Sequence, residues 1–510
     1  MRERPQKQAG ESMNAISREA VLGCWLGKAI GGTLGQPFEG LDGPLAATFY
    51  EPVPTGMVPN DDLDLQVVWA CVLAGQAEPS VTSSALAAAW TAHVEFPFNE
   101  YGVAKRNLRE GILPPFSGSF DNWFTKGEGA AIRSEIWACL APSDPATAAE
   151  YAYRDACVDH AGDGIIAPMF LAALQSRAFS GGTVDDLLDA GLGVIPRDSG
   201  IGRVVIATRA WCEEFPDWRD VRSRILSRFA SQDFTDVLMN TGFVVLGLLA
   251  GRGDFARSIL ITSNCGKDTD SSAASVGATL GILSPTSIPG EWLAPIGSDL
   301  VLSPGIVNLD APATIEEFTD LVLRLRERVT FVPREAQHDW DPRSKAVRVT
   351  RSWSTRAGEL GALNDWFMPP SHAPAPVSTG ESADVELEGT WSQLPAESFE
   401  NDLMLLRYPL DAQGVQHVRV MVASNLLVRV WLDGDWLFGR DGGAMFPAPH
   451  MPRMNTFADV ELGAGPHELT VVLHRPEAGH VGEWVVAIAD SRTKEWIPDA
   501  LRVPPEKGAV

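Results

Sequence analysis

The sequence predicts a mainly α-helical domain followed by a smaller all-β sandwich. Three observations point there. From Ser17 to about Arg328, apolar residues recur at three- and four-residue spacing in Ala-, Leu- and Gly-rich segments. Beyond residue 379 the period changes to two, with an Asp-Gly turn between alternating runs. The chain's 510 residues also exceed what one hydrophobic core sustains, so two or more domains are expected.

Residues 1–15 read as a disordered polar tail, and 16–332 as the helical domain. Its clearest helices are Ala85–Val94, Ala146–Ala156, Ile166–Phe179, Phe234–Leu249 and Ile315–Val329. Gly23, Gly27, Gly31 and Gly35 recur every fourth residue of the first apolar segment and leave one helical face bare. Lys28 and the short length argue against a membrane helix pair, so close backbone packing inside a bundle is expected, and Gly35 ends the helix. Residues 333–378, rich in Pro, Ser and charge, read as a linker. In 379–505, His417–Ser424, Leu427–Leu432, the Asp433-Gly434 turn, Glu468–His474 and Glu483–Ala489 supply strands of a sandwich.

Composition narrows the partners. A formal charge of −25, with no compensating Lys/Arg-rich run, makes nucleic acid and anionic membranes poor partners. None of the six cysteines forms a Cys-x-x-Cys pair, which argues against a zinc cage or a disulfide framework and for a reducing compartment. No apolar core marks a signal peptide and no segment is long enough to span a membrane, so a cytoplasmic location is expected.

Two acidic stretches carry the chemistry. Asn60-Asp61-Asp62 and Asp268-Thr269-Asp270-Ser271 each open a helix about two hundred residues apart. The bland interpretation is capping, since Asn is a good N-cap and first-turn acids complement the helix dipole. For the second stretch, capping needs fewer oxygens than are present. The helix that follows is also so poor in bulk that it must pack closely. Brought together, the two stretches form an all-oxygen ligand set suited to hard divalent cations. Paired metals can orient a sugar and activate water with no cysteine or histidine nucleophile. Glu39, just past the glycine stripe, gains interest only beside these acids.

Three motifs in order resemble the ADP-ribosylglycohydrolase superfamily over about residues 17–330. Gly31-Gly32-Thr33-Leu34-Gly35-Gln36-Pro37-Phe38-Glu39 looks like its opening motif, Asn60-Asp61-Asp62 like its Thr-Asp-Asp, and Asp268-Thr269-Asp270-Ser271 like its late Asp-x-Asp-Thr. The resemblance implies a compact all-α fold with two magnesium ions, manganese being an alternative, at the base of a cleft. Carried over by position, Asn60, Asp61, Asp62, Asp268, Asp270 and Ser271 would ligate metal, and Glu39, Asp61 and Asp270 would be catalytic. The segment Asp159–Gly164 is similar to the family's glycine-containing loop beside the sugar, so His160, Gly162, Asp163 and Gly164 would bind substrate. Asn122 joins them, within a stretch from Asn99 to Ile136 that suits a cleft wall. Gly32, Leu63 and Lys267 depart from the family's usual residues.

The expected activity is metal-dependent hydrolysis of an N- or O-ribosyl bond, with Glu39 as general acid or base. The substrate is a small riboside or an ADP-ribosyl group. The alternatives are a hydrolase of small nucleosides and a non-catalytic sugar- or nucleotide-binding protein. In the sandwich, Trp391, Trp431, Trp436, Trp484 and Trp496 fit a structural or homo-oligomer-forming module better than a lectin.

Overall fold

The computed structural model of the chain describes residues 8–336, 339–354, 381–401, 403–414, 416–477 and 479–497. Its first helix runs Gln8–Gly35. Residues 8–15, expected in a disordered tail, therefore open a helix, as their Gln, Ala, Glu and Met residues favour; residues 1–7 lie outside the described residues. The glycine stripe packs this helix against Thr269–Leu283, which runs the opposite way. A Cβ on Gly23, Gly27 or Gly31 would overlap the carbonyl oxygens of Gly281, Gly277 and Ala273 respectively. The two backbones touch, and no larger residue fits between them. Gly35 ends the helix against Thr269 and Asp270, where the Thr269 hydroxyl donates to the Gly35 carbonyl at 2.8 Å.

Around this pair lie further helices, including Asp61–Ala74, Pro145–Ala156, Asp163–Ala178, Val237–Gly251, Phe255–Asn264 and Ile315–Arg326. Their buried faces carry Trp69, Trp90, Trp137, Phe170 and Phe243. The contacts divide the chain into two units, the first comprising residues 1–96, 113–119 and 124–337.

The second unit contains 97–112, 120–123 and 338–510. Its strands are β1 (Val347–Ser354), β2 (Ser382–Leu387), β3 (Trp391–Leu394), β4 (Leu403–Ala412), β5 (Gln416–Ser424), β6 (Leu427–Leu432), β7 (Asp435–Arg440), β8 (Phe457–Leu462), β9 (Gly465–His474) and β10 (Gly482–Asp490). Among the described residues they form two antiparallel sheets, ordered β2-β1-β4-β9-β6-β7 and β3-β10-β5-β8. Met404, Leu406, Val420, Val422, Val471, Leu473, Trp484 and Ile488 fill the core between them. Asp433 and Gly434 both take positive φ, 52° and 87°, as the expected hairpin turn requires. Trp484 donates to the Tyr408 hydroxyl at 3.2 Å inside the core, and Trp431 is buried edge-on to Trp436.

Two segments differ from expectation. The range read as a linker contains β1, whose Val347, Val349 and Trp353 enter the core; 355–378 lie outside the described residues. Helix Asn99–Arg109, expected in the helical domain, belongs with the strands because its polar face is anchored there. Arg106 pairs with Asp121 at 3.0 Å and stacks on Trp496, while Lys105 and Arg109 meet Glu495 at 3.0 and 2.9 Å. Asp121 in turn accepts the backbone N–H groups of Thr390 and Trp391 at 3.0 and 2.7 Å.

Gly27→Ala should destabilise the protein by about 1–3 kcal/mol, as overpacking a tight core does. Gly56→Ala, which has open space around it, should be near neutral. Urea midpoints of the two variants check the difference. Ending the chain at residue 332 removes Thr390, Glu495 and Trp496 and strands the buried Arg106 and Asp121. The truncated protein is expected to be insoluble or to melt well below the full chain in a thermal scan.

Candidate functional site

Where the glycine stripe ends, four segments of the first unit meet. The first is the loop after Gly35, where Gln36–Phe38 forms one 3-10 turn and delivers Glu39. Its far side is pinned to the second acidic stretch through Gly40 N–H to Lys267 O (2.9 Å) and Lys267 N–H to Leu41 O (2.6 Å). Arg222 clamps the same crossing, donating to the Cys265 carbonyl at 2.7 Å and to the Asp42 carbonyl. The Lys267 ammonium pairs with Asp42.

The second segment is Asn60–Asp62, at the start of helix Asp61–Ala74. Here the capping interpretation is correct: Asn60 Oδ1 accepts the Asp62 N–H at 2.8 Å. Its Nδ2 donates to Asp270 Oδ2 at 3.1 Å. In this geometry Asn60 orients the Asp270 carboxylate. Gly32 makes room for it, since a Cβ there would lie 3.1 Å from Asn60 Nδ2.

The third segment is Asp268–Ser271. Asp268 stands at the N-cap of Thr269–Leu283 without making a side-chain cap hydrogen bond, so capping does not explain it. Asp268, Asp270 and Ser271 are all buried, and Ser271 Oγ lies 3.5 Å from Asp62 Oδ1.

The fourth segment, Gly127-Glu128-Gly129, was not singled out from the sequence. Glu128 is buried and acts electrostatically on Asp268, while Asp62 and Asp270 act on it. A single glutamate between glycines has no pattern that marks it; only its burial does. Its loop is fixed by Arg133, which donates to the Gly129 carbonyl at 2.6 Å and pairs with Asp155 and Asp159 at 2.9 and 2.8 Å.

The electrostatics follow from crowding like charges in a dry place. Burial, then Glu128, Asp270 and Glu39, push the Asp268 carboxyl well above the usual carboxylate range. Burial raises Asp270 as well, with hydrogen bonds from its surroundings pulling the other way. Burial raises Asp62, offset in part by Lys28 and reinforced by Asp270 and Asp61. Glu128 is raised by burial, then by Asp62 and Asp270. Glu39 stands at an open position, yet desolvation by its neighbours and the charges of Asp270 and Asp61 push it up to about 8. Solvent there screens part of that repulsion.

Among the described residues, no three His, Cys, Asp or Glu side chains stand together at the spacing of a finished metal cage. The donor set nevertheless fits a hard divalent cation. Asp270 Oδ1 and Glu128 Oε2 are buried without a hydrogen-bond donor, Asp62 Oδ2 faces the Lys28 ammonium at 3.6 Å, and the acid and hydroxyl side chains of the group offer only oxygen. Two orphaned carboxylate oxygens on neighbouring segments call for a positive charge.

The other expected site residues lie on further segments. His160 is fully buried, its Nδ1 2.7 Å from Asp159 Oδ1. Gly164 packs so closely on the Thr125 carbonyl that a Cβ would overlap it, which sets this turn beside the segment leading to Glu128. Gly162 is open, at φ 56°, and Asp163 caps a neighbouring helix through Ile201 N–H at 3.3 Å. Asn122 is fully buried and belongs to the second unit.

A family model described as ADP-ribosylglycohydrolase matches residues 13–329. A solved structure described as an ADP-ribosylglycohydrolase-related protein complex aligns with 62% of this chain and 99% of its own, at 21% identity and a TM-score of 0.43. No curated protein matches. The chain belongs to the ADP-ribosylglycohydrolase family.

Proposed function

We propose that this glycohydrolase cleaves an N- or O-ribosyl bond at a centre holding two magnesium or manganese ions. The observation that carries the proposal is the convergence of buried acids from three separate segments, Asp62, Glu128 and Asp270, of which Asp270 and Glu128 each keep an oxygen without a hydrogen-bond donor. Asp61, Asp62, Asp268, Asp270 and Ser271 would hold the ions, with Glu128 beside them and Asn60 keeping Asp270 in position. Bound there, divalent cations supply the charge that fixes vicinal hydroxyls and makes water acidic.

The chain's own residues supply the rest. Glu39, open to substrate and beside the acids, would act as general acid or base on the departing group or on water. The carboxylates beneath it stabilise positive charge developing on the sugar ring. The turn His160–Gly164 would border the ribose. Three of the basic residues near the acids, Lys28, Lys267 and Arg222, are engaged by Glu135, Asp42 and backbone carbonyls. That commitment favours a riboside without phosphates over an ADP-ribosyl group.

Assayed on uncharged ribosides and ADP-ribosyl compounds, the protein should release free sugar only with Mg2+ or Mn2+, and fastest from the uncharged set. Asp270→Asn should abolish turnover, and Glu39→Gln should lower kcat by about 10²–10⁴-fold. Release unaffected by both EDTA and Asp270→Asn would remove the metal reading.

Carboxyls held above their unfolded values stabilise the fold only while protonated. That stability is present below about pH 4.5 and is lost as pH rises towards 8, the value reached by Glu39. In EDTA, Tm should therefore fall between pH 5 and 8. Asp268→Asn should flatten the fall, and added Mg2+ should raise Tm most at the alkaline end.

A further inference from the structure

Behind the acid centre lies a buried cation that the proposed chemistry does not use. Lys28 follows the second glycine of the stripe, is 1% exposed, and sits 3.3 Å from Glu135 Oε1 and 3.6 Å from Asp62 Oδ2. A lysine is almost never this buried unless it is paired. Glu135 is itself fixed: Gln66 Nε2 donates to one oxygen at 3.0 Å and Gln175 Nε2 to the other at 3.2 Å. Gln66 also donates to the Asp62 carbonyl at 2.8 Å and accepts the Ile136 N–H at 2.8 Å. One network therefore holds both the lysine's anchor and the backbone of the candidate ligand.

The Asp62 carboxylate faces two ways. Its Oδ1 is turned to Ser271, on the side of Asp270, while its Oδ2, without a hydrogen-bond donor, is turned to the ammonium. Since Glu135 already balances most of the lysine's charge, the Lys28–Glu135 pair adds little net repulsion towards an incoming cation.

We infer that Lys28 is a positioning residue for the metal centre, holding Oδ2 of Asp62 from behind so that Oδ1 alone is offered as a ligand. The inference rests on the metal centre proposed above. It also explains why a lysine is tolerated inside the glycine-packed helix pair: its ammonium reaches out of the contact to the floor of the acid cluster. The electrostatic balance agrees, because Lys28 opposes the rise of both Asp62 and Glu128.

The test is calorimetric titration of the full chain with Mn2+, comparing native protein with Lys28→Met/Glu135→Gln. The double variant removes both buried charges together, so that neither is left unpaired. Lys28→Gln, which keeps hydrogen-bond donors towards Glu135, is the second variant should the first fail to fold. Mn2+ affinity should fall by about 10–100-fold, as when the groups behind metal ligands are removed. Tm in EDTA should stay close to native, a split that a purely structural role would not produce. Unchanged or tighter Mn2+ binding by a folded variant overturns the role of Lys28. Absence of Mn2+ binding by the native protein instead overturns the metal centre itself.

Discussion

The contact between helices Gln8–Gly35 and Thr269–Leu283 is the constraint on which the site depends. Backbone atoms of the two helices touch at successive turns, so their relative register is fixed with almost no tolerance. That register places the end of one helix at the beginning of the other: Gly35 against Thr269 and Asp270. The chain then leaves Gly35 through a single turn to Glu39, while Asp268 and Asp270 arrive from the opposite direction. A bulkier contact would have let the helices slide or tilt and moved the acids by ångströms. Such a shift is large for chemistry that depends on oxygens converging.

The same packing explains how so many like charges are tolerated. Buried carboxylates are costly unless paired or hydrogen-bonded. Here the cost is borne by a close-packed frame: the Thr269–Gly35 bond, the Gly40–Lys267–Leu41 backbone pairing and the Arg222 clamp are all independent of the acids. The scaffold holds the carboxylates where their mutual repulsion alone would not.

Much of this was legible in the sequence. Period-four glycines predicted a bare helix face, and three motifs in order predicted which acids would meet, because backbone contact and oxygen-rich turns both leave local patterns. The helices and the Asp433-Gly434 hairpin were legible for the same reason. What could not be read depends on partners distant in sequence. Glu128 looks like any loop glutamate until burial surrounds it with Asp62, Asp268 and Asp270. Lys28 looked like an argument against a lipid helix, and its partner Glu135 lies 107 residues away. Helix Asn99–Arg109 has the period of its helical neighbours, and nothing local shows that Arg106 binds Asp121 and Trp496. Strand β1 does alternate, through Val347, Val349 and Trp353, but it lies within a Pro-, Ser- and charge-rich range that masked it.

In the proposed centre protons and divalent cations would compete for the same oxygens. A proton neutralises one carboxylate and leaves the others repelling one another, whereas one divalent charge can answer several at once, from different segments. The proposed centre relies on the second solution, the donorless oxygens of Asp270 and Glu128 coming from separate segments. Lys28 stands outside that competition. Its ammonium is already shared between Glu135 and Asp62, so it opposes the rise of the Asp62 carboxyl without filling the space between the acids. A neutral residue at 28 would leave Asp62 to be satisfied by a proton. A second cation inside the cluster would take the place of a metal. A lysine placed behind the ligand, with its own counter-ion, avoids both outcomes.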